Sequence, residues 1–416
     1  MELMRSWFKP VPAYRLATFR VAVALTTILF HVPDVDEVIR TYLDSSFHMP
    51  AAFSWVPALS TGAAVFLILL RHLTAWCLLF GWRPRLSALF LFLSDLYIVF
   101  LDPQIHFKNN IHFHLTLLAL LAFACDRVSL TRLIREDDAE AVCPAWPERL
   151  IRIQVAIVFF YTALDKVFSH GWGLSGGRMM DLGLTFHGAS LTWLQRLNQK
   201  VLEIMPGLLS LATIGTEFFL AAAVLFRRLW GLTTIVMIGF MVYLEFLVRP
   251  ELFPWDMLAV LFLLQPAGDR AYTVYYNGKC SFCKWKRRWL GRLDWLRRLR
   301  YAPLEDSTGG TFYLTGPSGK TEHGYKAFRK LLLLLGGPLY VFFVFIRFEI
   351  FGGRWLGLIL AYDAIFFAAG ALLLFWVPGV SQWVGPPFFR VVVFLQRLIF
   401  YRFSPGHSFP IKSNKA

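Results

Sequence analysis

Residues Cys143 to Gly176 read CPAWPERLIRIQVAIVFFYTALDKVFSHGWGLSG. From Arg149 to Phe168 the stretch is largely apolar and about as long as a helix needs to cross a bilayer, roughly 20 residues. Its polar residues fall in order. Gln154, Tyr161 and Asp165 are spaced by seven and four, which places them on one helical face. Lys166 stands at the outer end of the span, with His170 and Trp172 just beyond. An ionisable residue at bilayer depth is costly and marks a functional site. Desolvation makes neutral amines available as bases, so Lys166 is a candidate base. Lysine and tryptophan at a span end also serve as interfacial anchors, and that reading stands beside the catalytic one.

The same apolar pattern recurs along the chain. Spans are expected at 13–31, 60–81, 86–101, 110–125, 149–168, 207–226, 229–248 and 252–266. Those at 86–101 and 252–266 are short, hence tilted or re-entrant. Alternate loops carry the positive charge: Arg5, Lys9 and Arg15, then Arg83 and Arg85, then Arg127, Arg132, Arg135, Arg149 and Arg152, then Arg227 and Arg228. The loop 32–59 instead holds Asp34, Asp36, Glu37 and Asp44 against Arg40 alone. The positive-inside rule therefore puts the N-terminus and everything directly after 266 in the cytoplasm, within a plasma (inner) membrane. The loop 169–206 then faces outward.

Composition agrees. Of 416 residues 57% are hydrophobic and 17% charged, against roughly 45–50% and about 25% in soluble domains. Intrinsic disorder and an ordinary soluble enzyme are excluded. The net charge of +15 sits beside long apolar runs rather than on a polar domain face, which points to membrane lipid and away from nucleic acid.

From 269 the composition changes. Residues 269–330 carry 14 Lys and Arg against 5 Asp and Glu, nine of the fifteen excess charges. The run TVYY, Thr273 to Tyr276, reads as a strand bounded by Asn277 and Gly278, and Cys280-Ser281-Phe282-Cys283 opens the helical stretch KWKRRWLGRLDWLRRL. RLRYAPLED reads as a second strand, FYLTGPSGKTEHG as a hairpin and YKAFRKLLLLL as a closing helix. A strand feeding a Cys-x-x-Cys at a helix start is a thioredoxin-like arrangement. Helix-end amides and Lys279, Lys284 and Lys286 favour the thiolate, so Cys280 is the expected attacking thiol and Cys283 the resolving one. A zinc pair and two idle thiols are the alternatives; no second ligand pair follows at metal spacing, and no metal is expected. Cys77, Cys125 and Cys143 read as inert packing. Beyond Lys330 a second apolar block, 331–377, reads as a membrane hairpin that returns the basic tail of Arg390, Arg397, Arg402, Lys412 and Lys415 to the cytoplasm.

Other ionisable residues fall inside the apolar segments: Arg20, Arg71, His72, Asp95, His112, His114, Glu217 and Glu245. Arg20 and Arg71 are expected to snorkel to an interface, and Asp95 and Glu217 to pair within the bundle.

The stretches VYYNGKCSFC, YAPLED, FYLTGPSGKTEHGYKAFRKLL and VPGVSQWVGPPFFRVV resemble the DCC family of thiol-disulfide oxidoreductases. ATFRVAVAL, NNIHFHLTLLALLAF, LIRIQVAIVFFYTALDKVFSHGWGLSG and TEFFLAAAVLF resemble the HTTM family, which includes vitamin K-dependent gamma-carboxylase. That resemblance implies Lys166 as the base that deprotonates a vitamin K or menaquinone-type quinol. It also implies Glu217 at an acidic site position, with His112, His114, Tyr161 and Asp165 lining the quinone or substrate site.

The expected fold is therefore mainly α. It comprises a multi-pass bundle of about eight spans over 1–268 and a small α/β thioredoxin-like module with an inserted hairpin over 269–416. The expected function is an integral-membrane oxidoreductase acting on a quinone and on a peptide or protein thiol. A carboxylase-like peptide-modifying enzyme and a non-enzymatic scaffold lying on anionic lipid are the rivals.

Overall fold

The computed structural model describes residues 7–31, 60–101, 109–124, 128–135, 141–169, 203–247, 252–265, 270–278, 281–304 and 313–323, with isolated positions between and beyond them as far as Tyr340. Ten helices and a small mixed sheet make up these residues. The helices are α1 (Tyr14–Thr26), α2 (Thr61–Phe80), α3 (Pro84–Leu101), α4 (Asn109–Phe123), α5 (Leu130–Ile134), α6 (Trp146–Phe168), α7 (Pro206–Ala223), α8 (Trp230–Leu247), α9 (Phe253–Val260) and α10 (Ser281–Leu293). A π turn, Thr27–His31, continues α1, and a 3-10 turn, Leu261–Leu264, continues α9.

The eight segments expected as spans between 13 and 266 are helical in their described residues, but the expectation of about eight spans is corrected. By length and composition, three helices among the described residues can cross a membrane: Gly62–Phe80, Pro206–Ala223 and Arg227–Leu244. Ile111–Phe123 and Phe253–Leu264 are apolar but shorter. Helix α6 has 23 residues, yet it carries Glu148, Arg149, Arg152, Asp165 and Lys166, more charge than a simple lipid-facing span tolerates.

A short antiparallel pair, β1 (Pro10–Pro12) with β2 (Val142–Pro144), aligns the starts of α1 and α6. Ala13 N donates to Ala141 O at 2.8 Å, and Arg15 Nε meets Glu148 Oε1 at 3.3 Å. The two helices therefore run from the same end of the bundle. Around them one core collects Leu16, Phe19, Leu78, Leu91, Phe113, Leu117, Ile151 and Phe159, each at most 1% exposed.

Arg20 and Arg71 do not snorkel. Arg20 is 1% exposed and Arg71 7%. Arg20 Nη2 donates to Val128 O at 3.0 Å, tying α1 to the segment before α5. Arg71 pairs with Asp95, joining α2 to α3. Gly81 ends α2 in the left-handed region at φ 76°, and the Arg20 guanidinium lies where a Cβ at 81 would stand. Glycine is required there twice over.

The C-terminal sheet has the order β4-β3-β5-β6, built from β3 (Tyr272–Asn277), β4 (Leu299–Leu304), β5 (Tyr313–Thr315) and β6 (Thr321–His323). Strands β3 and β4 are parallel, with Val274 opposite Tyr301, and α10 forms the crossover between them. β5 lies antiparallel to β3 and to β6. The turn from α10 into β4 is held by Asp294, whose Oδ1 accepts from Arg298 N at 3.0 Å and Oδ2 from Leu299 N at 2.8 Å. Burial pushes the Asp294 carboxyl above the ordinary range, against the opposing pull of those two amides.

Val274, Leu299, Leu314, Ala327, Leu331, Leu334 and Leu335 form the core of this module. Residues 331, 334 and 335 thus cover the sheet, where a membrane hairpin was expected to begin. Tyr340 instead enters the bundle: its hydroxyl donates to Trp255 O at 3.0 Å and lies 2.9 Å from Thr26 Oγ1. The rest of the expected hairpin, 341–377, lies outside the described residues.

The module is fixed to the end of the bundle where α1 and α6 begin. Arg297 donates to Arg132 O at 3.0 Å and to Arg135 O, and stacks over the Tyr14 ring at 5.7 Å. Arg298 donates to Gln265 Oε1, and to Leu334 O at 3.1 Å.

Substituting Gly81→Ala is expected to destabilise the protein by more than the ~1–2 kcal/mol of a left-handed backbone penalty, because the new methyl also displaces Arg20. Asparagine tolerates the left-handed region but brings the same Cβ, so Gly81→Asn is expected to lose nearly as much. Thermal unfolding of the detergent-purified variants checks both, and a stable Gly81→Asn would show that backbone conformation alone matters.

Candidate functional site

Helix α6 turns a stripe of Val155, Phe159 and Thr162 toward the bundle interior, at spacings of four and three, with the Phe159 ring against Phe240 of α8. The next member of the stripe is Lys166. Its Nζ lies 2.8 Å from Glu217 Oε1 and 3.0 Å from Oε2, and donates to Thr162 O at 3.3 Å. The Trp172 ring lies over the ammonium at 5.1 Å. The side chains are 16% and 7% exposed, so the pair is largely removed from solvent. Glu217 comes from the middle of α7, and its expected pairing within the bundle is seen.

The companions expected on the same helix go elsewhere. Tyr161 is 62% exposed and Asp165 is also exposed, bonded to Ser169 Oγ at 3.3 Å. The spacing of Gln154, Tyr161 and Asp165 does define one face, but it is the face turned away from the core. Neither Tyr161 nor Asp165 joins Lys166 and Glu217.

A second polar cluster lies where α4, α9 and the end of α1 meet. His114 and Asp256 are both fully buried, with Nδ1 2.8 Å from Asp256 Oδ2. On the other side of the ring, Nε2 is 3.2 Å from Thr27 Oγ1. The Thr27 hydroxyl hydrogen is spent on Val23 O at 2.9 Å, so Nε2 must be the donor to Oγ1. Two states fit the remaining contact: a protonated ring facing a carboxylate, or a neutral ring accepting from a carboxylic acid. In both, the pair holds one shared proton and no net charge. Asp256 Oδ1 is buried with no hydrogen-bond partner among the described residues. The π turn at Thr27–His31 is the backbone irregularity that often accompanies a functional position. His112, two residues away, is only half-buried.

Both clusters occupy the half of the bundle remote from the β1–β2 end. Helix α6 puts Lys166 about 30 Å from its start at 1.5 Å per residue, and α1 puts Thr27 about 20 Å from its own.

Asp256 and Thr27 were not among the residues expected from sequence. Asp256 had a usable signal, a lone acid inside the apolar run FPWDMLAVLFLL. It was hidden by lying in the first turn of that segment, where a charge reads as interfacial. Thr27 had none, since threonine is ordinary in an apolar helix.

In the C-terminal module, Cys283 is half-buried in the first turn of α10, directly after the β3 strand and its turn. Cys280 lies outside the described residues.

A family model, the HTTM domain, matches residues 8–267. This range contains both polar clusters. No curated protein and no solved structure matches the chain.

Breaking one side of a buried ion pair costs about 3–5 kcal/mol, whereas replacing both sides with apolar groups is often neutral. Glu217→Leu alone is accordingly expected to lower the thermal midpoint strongly, and Lys166→Met with Glu217→Leu to recover it. Unfolding curves of the single and double variants in detergent give the comparison; a double variant as unstable as the single would show that the pair is irreplaceable for folding.

Proposed function

The chain belongs to the HTTM domain family, and from that premise we propose that its bundle is the proton-abstracting half of an integral-membrane oxidoreductase. HTTM domains are membrane domains related to vitamin K-dependent carboxylase. The observation that carries the reading is Lys166 held by both oxygens of Glu217 inside the matched residues.

A base must be neutral before it can act. An ammonium bonded to a carboxylate can pass its proton along that hydrogen bond and leave an amine beside a carboxylic acid, with no change in net charge. With that proton held by Glu217, the Lys166 amine can take the hydroxyl proton of a bound quinol, which leaves an ammonium beside the quinolate. Trp172 covers the amine and excludes water, and Thr162 O orients it. The proposed substrate is a vitamin K or menaquinone-type quinol, or a peptide side chain with a weakly acidic proton. The quinol supplies two-electron chemistry once its hydroxyl proton is removed. The His114–Asp256 pair, with no net charge and one exchangeable proton, supports this reading because Asp256 Oδ1, without a partner among the described residues, is an acceptor for a hydroxyl group.

The second half of the proposal is thiol-disulfide exchange at Cys280 and Cys283, the first attacking and the second resolving. The succession of β3, α10 and a parallel β4 with the cysteines at the β3–α10 junction supports a thioredoxin-like reading of the module. The orientation proposed from loop charge, N-terminus and module in the cytoplasm, places this chemistry on the inner face of a plasma membrane. A carboxylase-like modification of a peptide is the second reading, favoured by the same lysine position.

Supplying reduced vitamin K and oxygen to the purified protein tests the bundle without knowledge of any peptide. The wild type is expected to form quinone epoxide, and Lys166→Ala to lose it by the ~10²–10⁴-fold typical of a removed general base. Epoxide formation equal in both proteins would remove Lys166 as the base. Its absence in both would overturn the quinone reading.

A further inference from the structure

Helix α10 contains five Lys and Arg and no acidic residue in SFCKWKRRWLGRL. Its two faces are put to different uses. The inner one packs on the sheet: Leu290 and Leu293 lie against the module's core, and the Arg287 guanidinium covers the Tyr301 ring at 5.5 Å. The outer one holds Lys284, Trp285, Arg288, Trp289 and Arg292, all exposed. Positions i, i+1, i+4, i+5 and i+8 span an arc of roughly 140° at 100° per residue. Trp285 is 49% and Trp289 46% exposed. Their rings are 5.9 Å apart, and Arg292 lies 5.6 Å from the Trp289 ring centre.

We propose that this outer face of α10 is a docking face for anionic phospholipid headgroups of the membrane that the chain's own bundle occupies. Two indoles presented side by side are expensive to leave in water and are suited to the bilayer interface, where one edge of the ring is apolar and the N–H is wet. Three cations on the same arc select negatively charged headgroups, and no carboxylate on the helix competes for them. The attachment to the bundle decides the source of the anion. Arg297, through Arg132 O, and Arg298, through Gln265 Oε1, fix the module to the helices, so lipid around the bundle is present at high effective concentration. A weak intrinsic affinity then suffices for a docked state. Cys283 lies in the first turn of this helix, so docking also sets how the thiol end of α10 stands relative to the membrane surface.

The test uses the full chain in nanodiscs of phosphatidylcholine, with and without phosphatidylglycerol, and reads hydrogen exchange of the amides in 281–293. Exchange is expected to slow when phosphatidylglycerol is present and to recover at high salt. Each cation contributes about fivefold to the docked-to-undocked ratio, so K284E/R288E/R292E is expected to abolish the difference. Trp285→Ser with Trp289→Ser, which leaves the charge intact, is expected to weaken it. Exchange across β3 and β4 reports whether the module stays folded, and the tryptophan variant decides the matter if the charge variant does not fold. Equal exchange in both lipids, or protection by phosphatidylglycerol that survives the charge reversal, would overturn the proposal. So would protection produced by added RNA or an acidic protein in phosphatidylcholine alone, which would assign the face to that partner.

Discussion

A charge carried into an apolar bundle has to be neutralised where it stands, because separating it from water costs several kcal/mol that only a close partner returns. That constraint organises the helices here. Arg71 with Asp95 links α2 to α3, Lys166 with Glu217 links α6 to α7, and His114 with Asp256 links α4 to α9. Arg20 meets the same demand with a backbone carbonyl, Val128 O. Apolar side chains slide past one another at small cost, whereas these pairs fix the height of each helix against its neighbour to within a hydrogen bond. A bundle could be built without them, and more simply. Their presence at these depths is the physical reason to look for chemistry there rather than for stability alone.

The pattern of apolar segments made the helices legible, because length and hydropathy act through local sequence. What the helices do with their faces was less legible. The Gln154, Tyr161 and Asp165 spacing correctly defined a face of α6, but spacing carries no sign for inward or outward. The core side is instead marked by Val155, Phe159 and Thr162, and Lys166 belongs with them. Arg20 and Arg71 read as snorkelling residues because long side chains near span ends usually are. Burial came from partners distant in sequence, the 108 residues between Arg20 and Val128 among them. Asp256 was missed for a related reason: an acid in the first helical turn looks interfacial until the helix packing above it is known.

In the C-terminal module the expected strands and hairpin are present, and leucines of the expected closing helix pack on the sheet. Alternation and turn residues located β3, β4 and the hairpin. The leucine run at 331–335 is as apolar as a membrane span, and composition cannot separate a span from a helix that covers a sheet. The sheet decides: Val274, Leu299 and Leu314 need cover on one side, and Leu331, Leu334 and Leu335 supply it. Tyr340 then passes into the bundle and bonds to Trp255 O beside Thr26. Those two partners stand next to Thr27 and Asp256 in sequence, so the C-terminal module reaches the neighbourhood of the buried histidine through its own chain.

The two proposed chemistries are nevertheless far apart. The module is bolted to the end of the bundle at which α1 and α6 begin, and Lys166 lies about 30 Å up α6 from that end. Cys283, the described thiol of the module, lies at that end and is therefore remote from the Lys166 site. If electrons pass between quinol and dithiol, a carrier has to move within the membrane, and lipid-soluble quinones do so. Otherwise the two sites act separately. The separation of Cys283 from Lys166 is what ties any coupling of the two proposed chemistries to a diffusing intermediate.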